Sequence, residues 1–182
     1  MKRVISVTIF GACLLAISPA IRAQNCSYLT TVDLRGTYTM SGSGWIDLSK
    51  FLAGIPGLPP LPTGLIPMSW VGAHTWDGAG GGGGWVSINA AGNQMSASFV
   101  GLKYSINPDC SIPVSFSMKI NELPGVTVGP VSRLMVPVAK YDGLSWMPWA
   151  LELHMMTVGT APGTSPGPGI DSGVAYRISM QY

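Results

Sequence analysis

His74 is the side chain best placed in this sequence for acid–base chemistry. It alternates with Trp70 and Trp76 on one face of a predicted strand, and that face is expected to point inward. An imidazole there can orient a ligand or transfer a proton. Tyr104, on the apolar face of another predicted strand, is the second catalytic candidate. The alternative for His74 is a structural histidine whose ring is hydrogen-bonded within the core.

Two glycine-containing motifs resemble catalytic loops but lack the groups that the chemistry needs. Residues 163–167, GTSPG, match the G-x-S-x-G pattern of serine hydrolases, in which the backbone N–H after the serine stabilises the oxyanion. Here that residue is Pro166, which has no N–H. The glycine run at 80–84 lacks the Lys and the Ser or Thr of a phosphate-binding loop. Both motifs therefore indicate connecting loops.

Metal binding is not expected from the sequence. Glu152 and His154 lie two residues apart on one strand face, and could form a metal or acid–base pair with Asp77 or His74. A solvated face is the preferred interpretation, because the neighbouring residues on this face look exposed. We predict no metal and no cofactor, so an enzyme built on this scaffold would be a cofactor-free cyclase or isomerase.

The elements that must hold these residues are strands. Every second residue of 112–120 is apolar, and similar alternation marks about eight or nine segments separated by turn signals. The chain has 24 Gly and 15 Pro residues, which argues against a helical bundle, and no basic stripe calls for nucleic acid. We predict an all-β fold, a single antiparallel up-and-down β-barrel of about eight strands, with a β-sandwich as the alternative.

The later strands show the same alternation, and the sequence leaves open which of their faces lies inside the barrel. Leu134, Val136 and Val138 form one apolar set, and the even-numbered residues from Val174 to Tyr182 form another. Residues 49–67 interrupt the strands as an apolar Pro/Gly-rich loop, because a continuous strand does not hold so many prolines. The leucines and isoleucines of this loop are expected to cap the barrel or contact a partner.

The N-terminus has the pattern of a secretory signal peptide. Lys2 and Arg3 precede an apolar run, small residues follow, and cleavage is predicted after Ala23. This gives a signal peptide at 1–23 and one domain at 24–182, in a protein exported to the periplasm or beyond the cell. Lys2, Arg3 and Arg22 then leave, so seven basic residues face eight acidic ones and the formal charge changes from +2 to −1.

Two cysteines remain after this cleavage, because Cys13 lies within the signal. An isolated pair in an oxidising compartment usually forms a disulfide, so we predict a bond between Cys26 and Cys110. It would tie the start of the domain to a point near its middle.

Four segments carry a resemblance to a known type of protein. They are LRGTY at 34–38, WDGAG at 76–80, SIN at 87–89 and YSINPDC at 104–110. Together they resemble small exported bacterial proteins of lipocalin-like or allene-oxide-cyclase-like barrel type. The resemblance implies a β-barrel over about residues 30–120, and no catalytic set transfers from it.

Three functional hypotheses follow. The first is an exported soluble barrel that binds an apolar small molecule in an aromatic-lined cavity. Its ligand-binding residues would be Tyr38, Trp70, Phe116, Met118, Trp149 and Tyr176. The second is an outer-membrane barrel acting as pore or anchor, ending at the aromatic Tyr182, with a lumen lined by Lys103, Lys119, Arg133, Glu152, His154 and Arg177. The third is a cyclase or isomerase that uses His74 or Tyr104 in the same cavity.

These hypotheses differ in the partners that they imply. The first and third need only an apolar small molecule, and the second adds a membrane. None involves nucleic acid, and the sequence leaves the oligomeric state open.

Overall fold

The fold is a closed antiparallel β-barrel, as seen in a computed structural model that describes residues 26, 29–58, 60–138, 152–159 and 169–179. A short 3-10 helix, Val32–Leu34, precedes the first strand, and the only other helix among the described residues is α1, Leu48–Phe51. The strands are β1 Gly36–Ile46, β2 Ile66–Trp76, β3 Gly81–Ala90, β4 Asn93–Tyr104, β5 Ile112–Ile120, β6 Thr127–Val138, β7 Glu152–Gly159 and β8 Gly169–Ser179.

Each strand pairs with the next along the chain, and β8 closes the barrel against β1. The predicted eight-stranded up-and-down barrel is therefore confirmed. The connection of β3 to β4 shows how local sequence drives this topology. Ala91 and Gly92 both have positive φ angles, 49° and 86°, which is the backbone of a type I′ hairpin turn.

Strand β5 shows why the interior is apolar. Ile112, Val114, Phe116, Met118 and Ile120 are all buried, while the intervening residues lie on the outer face. The burial of such apolar side chains is the main source of stability for this kind of barrel. The interior is thus a packed core over much of its length.

The inward faces of β6 and β8 are not the faces that carry the apolar sets of the sequence. In β6 the interior receives Arg133 and Met135, whereas Val136 is 48% exposed on the outside. In β8 it receives Asp171 and Ala175. Alternation could not identify the inner face because the outer residues of both strands are also apolar. Which face of each strand points inward depends on which side chains fit against the opposite wall of the barrel.

One end of the barrel is closed by a plug of aromatic and apolar side chains. Leu34 from the 3-10 helix is fully buried there, and the Trp76 and Tyr104 rings stack with centroids 4.4 Å apart. Cys26 and Cys110 form the predicted disulfide at this end, with Cα atoms 5.0 Å apart. The disulfide ties the chain before the 3-10 helix to the loop between β4 and β5.

The opposite end is covered by α1 and the chain that follows it. Asp47 caps α1 by accepting a hydrogen bond from the Lys50 backbone N–H at 3.3 Å. Leu52 is buried, and Ile55 and Leu58 pack against the core as partly buried side chains. Within the ranges described, no helix is long and apolar enough to cross a membrane.

Candidate functional site

A cavity of about 220 Å³ lies inside the barrel towards the end covered by α1. Its wall is mainly apolar and comes from all eight strands and from α1. The lining residues are Ile46, Lys50, Phe51, Met68, Trp70, Val86, Ile88, Phe99, Phe116, Met118, Gly129, Pro130, Val131, Arg133, Thr157, Gly169 and Asp171. A cavity of about 150 Å³ already binds benzene, so this one has room for a small organic molecule.

Trp70 forms one wall of the cavity and rests on glycines. Gly42 of β1 lies opposite both Trp70 of β2 and Gly173 of β8 in the sheet. A Cβ atom at Gly42 would stand 2.3 Å from the indole ring, and one at Gly173 would stand 2.6 Å from it. Only glycine leaves space for the ring at these two positions, so they set where Trp70 lies.

A buried ion pair adjoins this indole. Arg133 and Asp171 are joined by an Nη2–Oδ2 hydrogen bond of 2.8 Å, and their side chains are only 10% and 4% exposed. Asp171 also accepts a hydrogen bond from the Thr157 hydroxyl. The guanidinium carbon of Arg133 lies 4.5 Å from the centre of the Trp70 ring, within cation–π range. Charge, hydrogen bonds and an aromatic face therefore meet in one wall.

The pairing of the last strands brings these polar residues together. Arg133 of β6 lies opposite Thr157 of β7, and Asp171 follows on β8. Burial lowers the pKa of the Arg133 guanidinium, and the Asp171 carboxylate beside it acts in the opposite direction. The Arg133 guanidinium remains charged at neutral pH because an arginine loses its proton only at very high pH.

The entrance to the cavity lies beside α1. Lys50 and Phe51 line it from the helix, and Gly129, Pro130 and Val131 line it from β6. The Lys50 side chain is 75% exposed and lies 3.6 Å from Asp47. A ligand entering at this end would pass a solvated lysine before it reached the apolar wall.

His74 lies outside the cavity, in the packed layer next to it. Its ring is buried between Tyr38 and Trp76, with ring centres 5.3 Å and 5.0 Å away. Burial, with a smaller contribution from the positive charge of Arg133, lowers the pKa of His74 from 6.5 to about 3. The imidazole is therefore uncharged at neutral pH, and it does not line the space where a substrate would bind.

This depressed pKa predicts a loss of stability on mild acidification. Below pH 6.5 the unfolded chain protonates His74, whereas the folded protein does not until about pH 3. The contribution of neutral His74 to stability should be fully present above pH 6.5. It should decrease as the pH falls from 6.5 towards 3. Between pH 7.5 and pH 5.0 we expect a loss of about 2 kcal/mol in the free energy of unfolding, measured by urea denaturation.

His74→Phe should remove most of this pH dependence, and His154→Gln, on the outer surface, should keep it. The pH range of the measurement lies above the range in which these carboxyl groups titrate, since hydrogen bonds lower the pKa of Asp47, Asp77 and Glu122. Equal urea midpoints at the two pH values in the unmodified protein would contradict the buried, neutral histidine.

Tyr38 and Tyr104 belong to the plug rather than to the cavity wall. The Tyr38 hydroxyl donates to the Leu34 carbonyl at 3.0 Å and accepts from Arg177 Nε at 3.0 Å. The Tyr104 hydroxyl accepts from the Gly78 backbone N–H at 3.0 Å. Burial raises the pKa of both hydroxyls. These contacts hold the closed end together.

Three of the six expected ligand-binding residues, Trp70, Phe116 and Met118, meet in the cavity. Tyr176 is 44% exposed on the outer surface, because β8 presents its odd-numbered residues to the interior. Trp149 lies outside the described residues, as does the GTSPG motif at 163–167.

The polar residues that the second hypothesis placed in a lumen are divided between the two sides. Lys103, Lys119 and His154 are exposed on the outer surface. Arg133 and Arg177 reach the interior, where each contacts an aromatic ring. His154 and Glu152 contact one another at 2.7 Å on the outside. In the part of the chain described, no group of three His, Cys, Asp or Glu side chains is arranged to hold a metal ion.

Asp171 and Thr157 were not predicted as site residues, and Arg133 was predicted only for the lumen of a membrane barrel. A signal was present, since only 10% of the chain is charged and the opposite charges of Arg133 and Asp171 stand within mainly apolar strands. Charges at such positions are rare unless they are paired. Phe99, which packs on Phe116 with ring centres 4.4 Å apart, was also not singled out for the cavity.

The arrangement is suited to binding. It combines an apolar wall, a localised hydrogen-bonding region and an entrance, and the candidate acid–base groups His74 and Tyr104 lie outside it. Comparison of the chain with protein-family models, with curated proteins and with solved structures finds no match. The geometry of the cavity is therefore the basis for a proposed function.

Proposed function

We propose that this protein is an exported β-barrel of lipocalin-like type that binds a small, mainly apolar molecule in the cavity beneath α1. The observation that carries the proposal is the cavity of about 220 Å³, with Phe99, Phe116 and Met118 in its wall. Pockets for small ligands are typically apolar with a few placed polar groups, and this wall has both.

The outer face of β1 supports a barrel that works in water, while the outer faces of β6 and β8 carry apolar residues such as Val136 and Ile170. The outward residues of β1 include Thr37, Thr39, Ser41 and Ser43, and their side chains are polar. A strand facing lipid carries apolar residues at such positions. The buried disulfide fits an oxidising compartment, which supports export.

Blocking the cavity should abolish binding. We expect the purified, disulfide-bonded protein to enhance the fluorescence of N-phenyl-1-naphthylamine, a neutral apolar probe. Ile88→Phe adds bulk to the cavity wall and should weaken binding of this probe by about tenfold or more. Fluorescence titration measures the dissociation constant of each variant.

The matched control is Ser87→Phe, which adds the same ring on the outer face of β3. It should bind the probe like the unmodified protein. If Ile88→Phe does not fold by circular dichroism, Val131→Phe makes the same test from β6. Equal affinity of the unmodified protein and both cavity variants, or no fluorescence enhancement at all, would refute the cavity as a binding site.

Export predicts a defined N-terminus. The protein recovered from the exported fraction of a bacterial host should begin at Gln24, because cleavage is expected after Ala23. Intact mass spectrometry under non-reducing conditions would show this start together with one disulfide. A mass that retains residues 1–23 would contradict the proposed export.

A further inference from the structure

The polar wall of the cavity has more hydrogen-bond donors than acceptors. An arginine side chain has five N–H donors. In Arg133, Nη2 donates to Asp171 and Nη1 to the Met155 sulfur at 3.5 Å, while Nε is buried without an acceptor among the described residues. The indole N–H of Trp70 is likewise buried without a partner. Unsatisfied buried donors are costly, so the site favours a ligand that accepts hydrogen bonds.

Both carboxylate oxygens of the same wall already have a donor. One oxygen of Asp171 accepts from Arg133, and the other accepts from Thr157. A ligand hydroxyl would bring a further donor to a wall whose own donors already lack acceptors. A carbonyl oxygen only accepts, so it matches the surplus of donors without adding another.

The charges of the cavity wall are balanced. The positive charge of Arg133 is matched by Asp171 at 2.8 Å. Lys50 stands at the solvated entrance beside Asp47, and Arg177 is held by Tyr38 at the closed end. His74 is uncharged at neutral pH. An anionic ligand would therefore be buried without a counter-charge, which is unfavourable.

We infer that the natural ligand is a neutral, mainly apolar molecule with a carbonyl group that accepts hydrogen bonds from the Arg133 and Trp70 side of the cavity. This inference rests on the proposed binding function and names the chemical class of the ligand. The apolar part of the molecule would pack against Phe99, Phe116 and Met118.

Three probes of similar shape test the inference. They are 2-acetylnaphthalene, a neutral ketone, 2-isopropylnaphthalene, its hydrocarbon counterpart, and 2-naphthoate, its anionic counterpart. Dissociation constants come from displacement of N-phenyl-1-naphthylamine at neutral pH. The ketone is expected to bind about tenfold tighter than either of the others, the gain from a hydrogen bond to a buried, charged donor.

Two variants connect this preference to named residues. Trp70→Phe removes the indole N–H but keeps an aromatic ring, and should reduce the preference for the ketone over the hydrocarbon to about threefold or less. Asp171→Asn leaves Arg133 without its counter-charge, and should make 2-naphthoate the tightest-binding probe. Ser172→Ala, on the outer face of β8, is the control and should leave all three constants unchanged.

The outcomes separate this inference from the proposed function. If ketone and hydrocarbon bind equally tightly, or if 2-naphthoate binds tightest to the unmodified protein, the inference is overturned while the binding function stands. If the fluorescent probe itself does not bind, both fail. If Asp171→Asn does not fold, Trp70→Phe alone tests which residues donate the hydrogen bonds. An unchanged preference for the ketone in Trp70→Phe would then overturn the assignment of the donors.

Discussion

Replacing Asp171 by alanine is expected to lower the free energy of unfolding by about 3–5 kcal/mol. The change leaves the guanidinium of Arg133 buried against Trp70 and Phe116 without its anion, with ring centres 4.5 Å and 5.7 Å away. A cation in an apolar interior loses its hydration and gains no equivalent interaction in return. Equilibrium urea denaturation at pH 7.5 measures the effect.

A double-mutant cycle shows that the loss comes from the unpaired charge. Arg133→Met combined with Asp171→Ala removes both charges, and should recover most of the stability lost in the Asp171→Ala variant. Lys50→Met provides a contrast, because it breaks an ion pair whose lysine is exposed to solvent, and should have no measurable effect. If Asp171→Ala were as stable as Lys50→Met, the ion pair would not be a buried structural element.

Removal of the Cys26–Cys110 disulfide is expected to lower the free energy of unfolding by about 4–5 kcal/mol. The two cysteines are 84 residues apart, so the bond greatly restricts the unfolded chain. It also anchors the segment that precedes the 3-10 helix, where the Cys26 backbone N–H donates to the Pro108 carbonyl at 3.1 Å. Urea denaturation of the oxidised protein and of the protein in dithiothreitol measures the difference.

A variant without these cysteines separates the disulfide from other effects of the reductant. Cys26→Ser with Cys110→Ser should be about as unstable as the reduced protein, and should not respond to dithiothreitol. A change of less than about 1 kcal/mol on reduction would show that the chain has no need of this constraint. The probe-binding assay on the same samples would show whether loss of the disulfide at the closed end also weakens binding in the cavity at the opposite end.

The strands of this barrel could largely be predicted from alternation. In β5 the contrast between apolar and polar faces is strong, and the predicted inward face is the one observed. In β6 and β8 both faces carry apolar residues, so local pattern did not separate them. Trp70 determines which face of β8 points inward, because its ring occupies the space above Gly173, where a larger side chain does not fit.

Some of the residues that line the cavity could be predicted from the sequence. Trp70, Phe116 and Met118 are large apolar residues on strands of clear alternation, and all three line it. His74 was correctly placed on an inward face, yet its depth in the packed layer and its lowered pKa depend on neighbours from other strands. The sequence analysis did not anticipate the joining of Arg133 to Asp171, 38 residues later.

The sequence by itself determined the all-β class, the antiparallel order of the strands and the cysteine pair, because alternation, turn residues and cysteine count are local properties of the chain. The tertiary structure alone decided which faces of β6 and β8 point inward, where packing leaves a cavity, and which charges are paired inside it. These features depend on side-chain volumes and charges that meet only when the barrel closes, and residues distant in sequence then share one small, water-poor space.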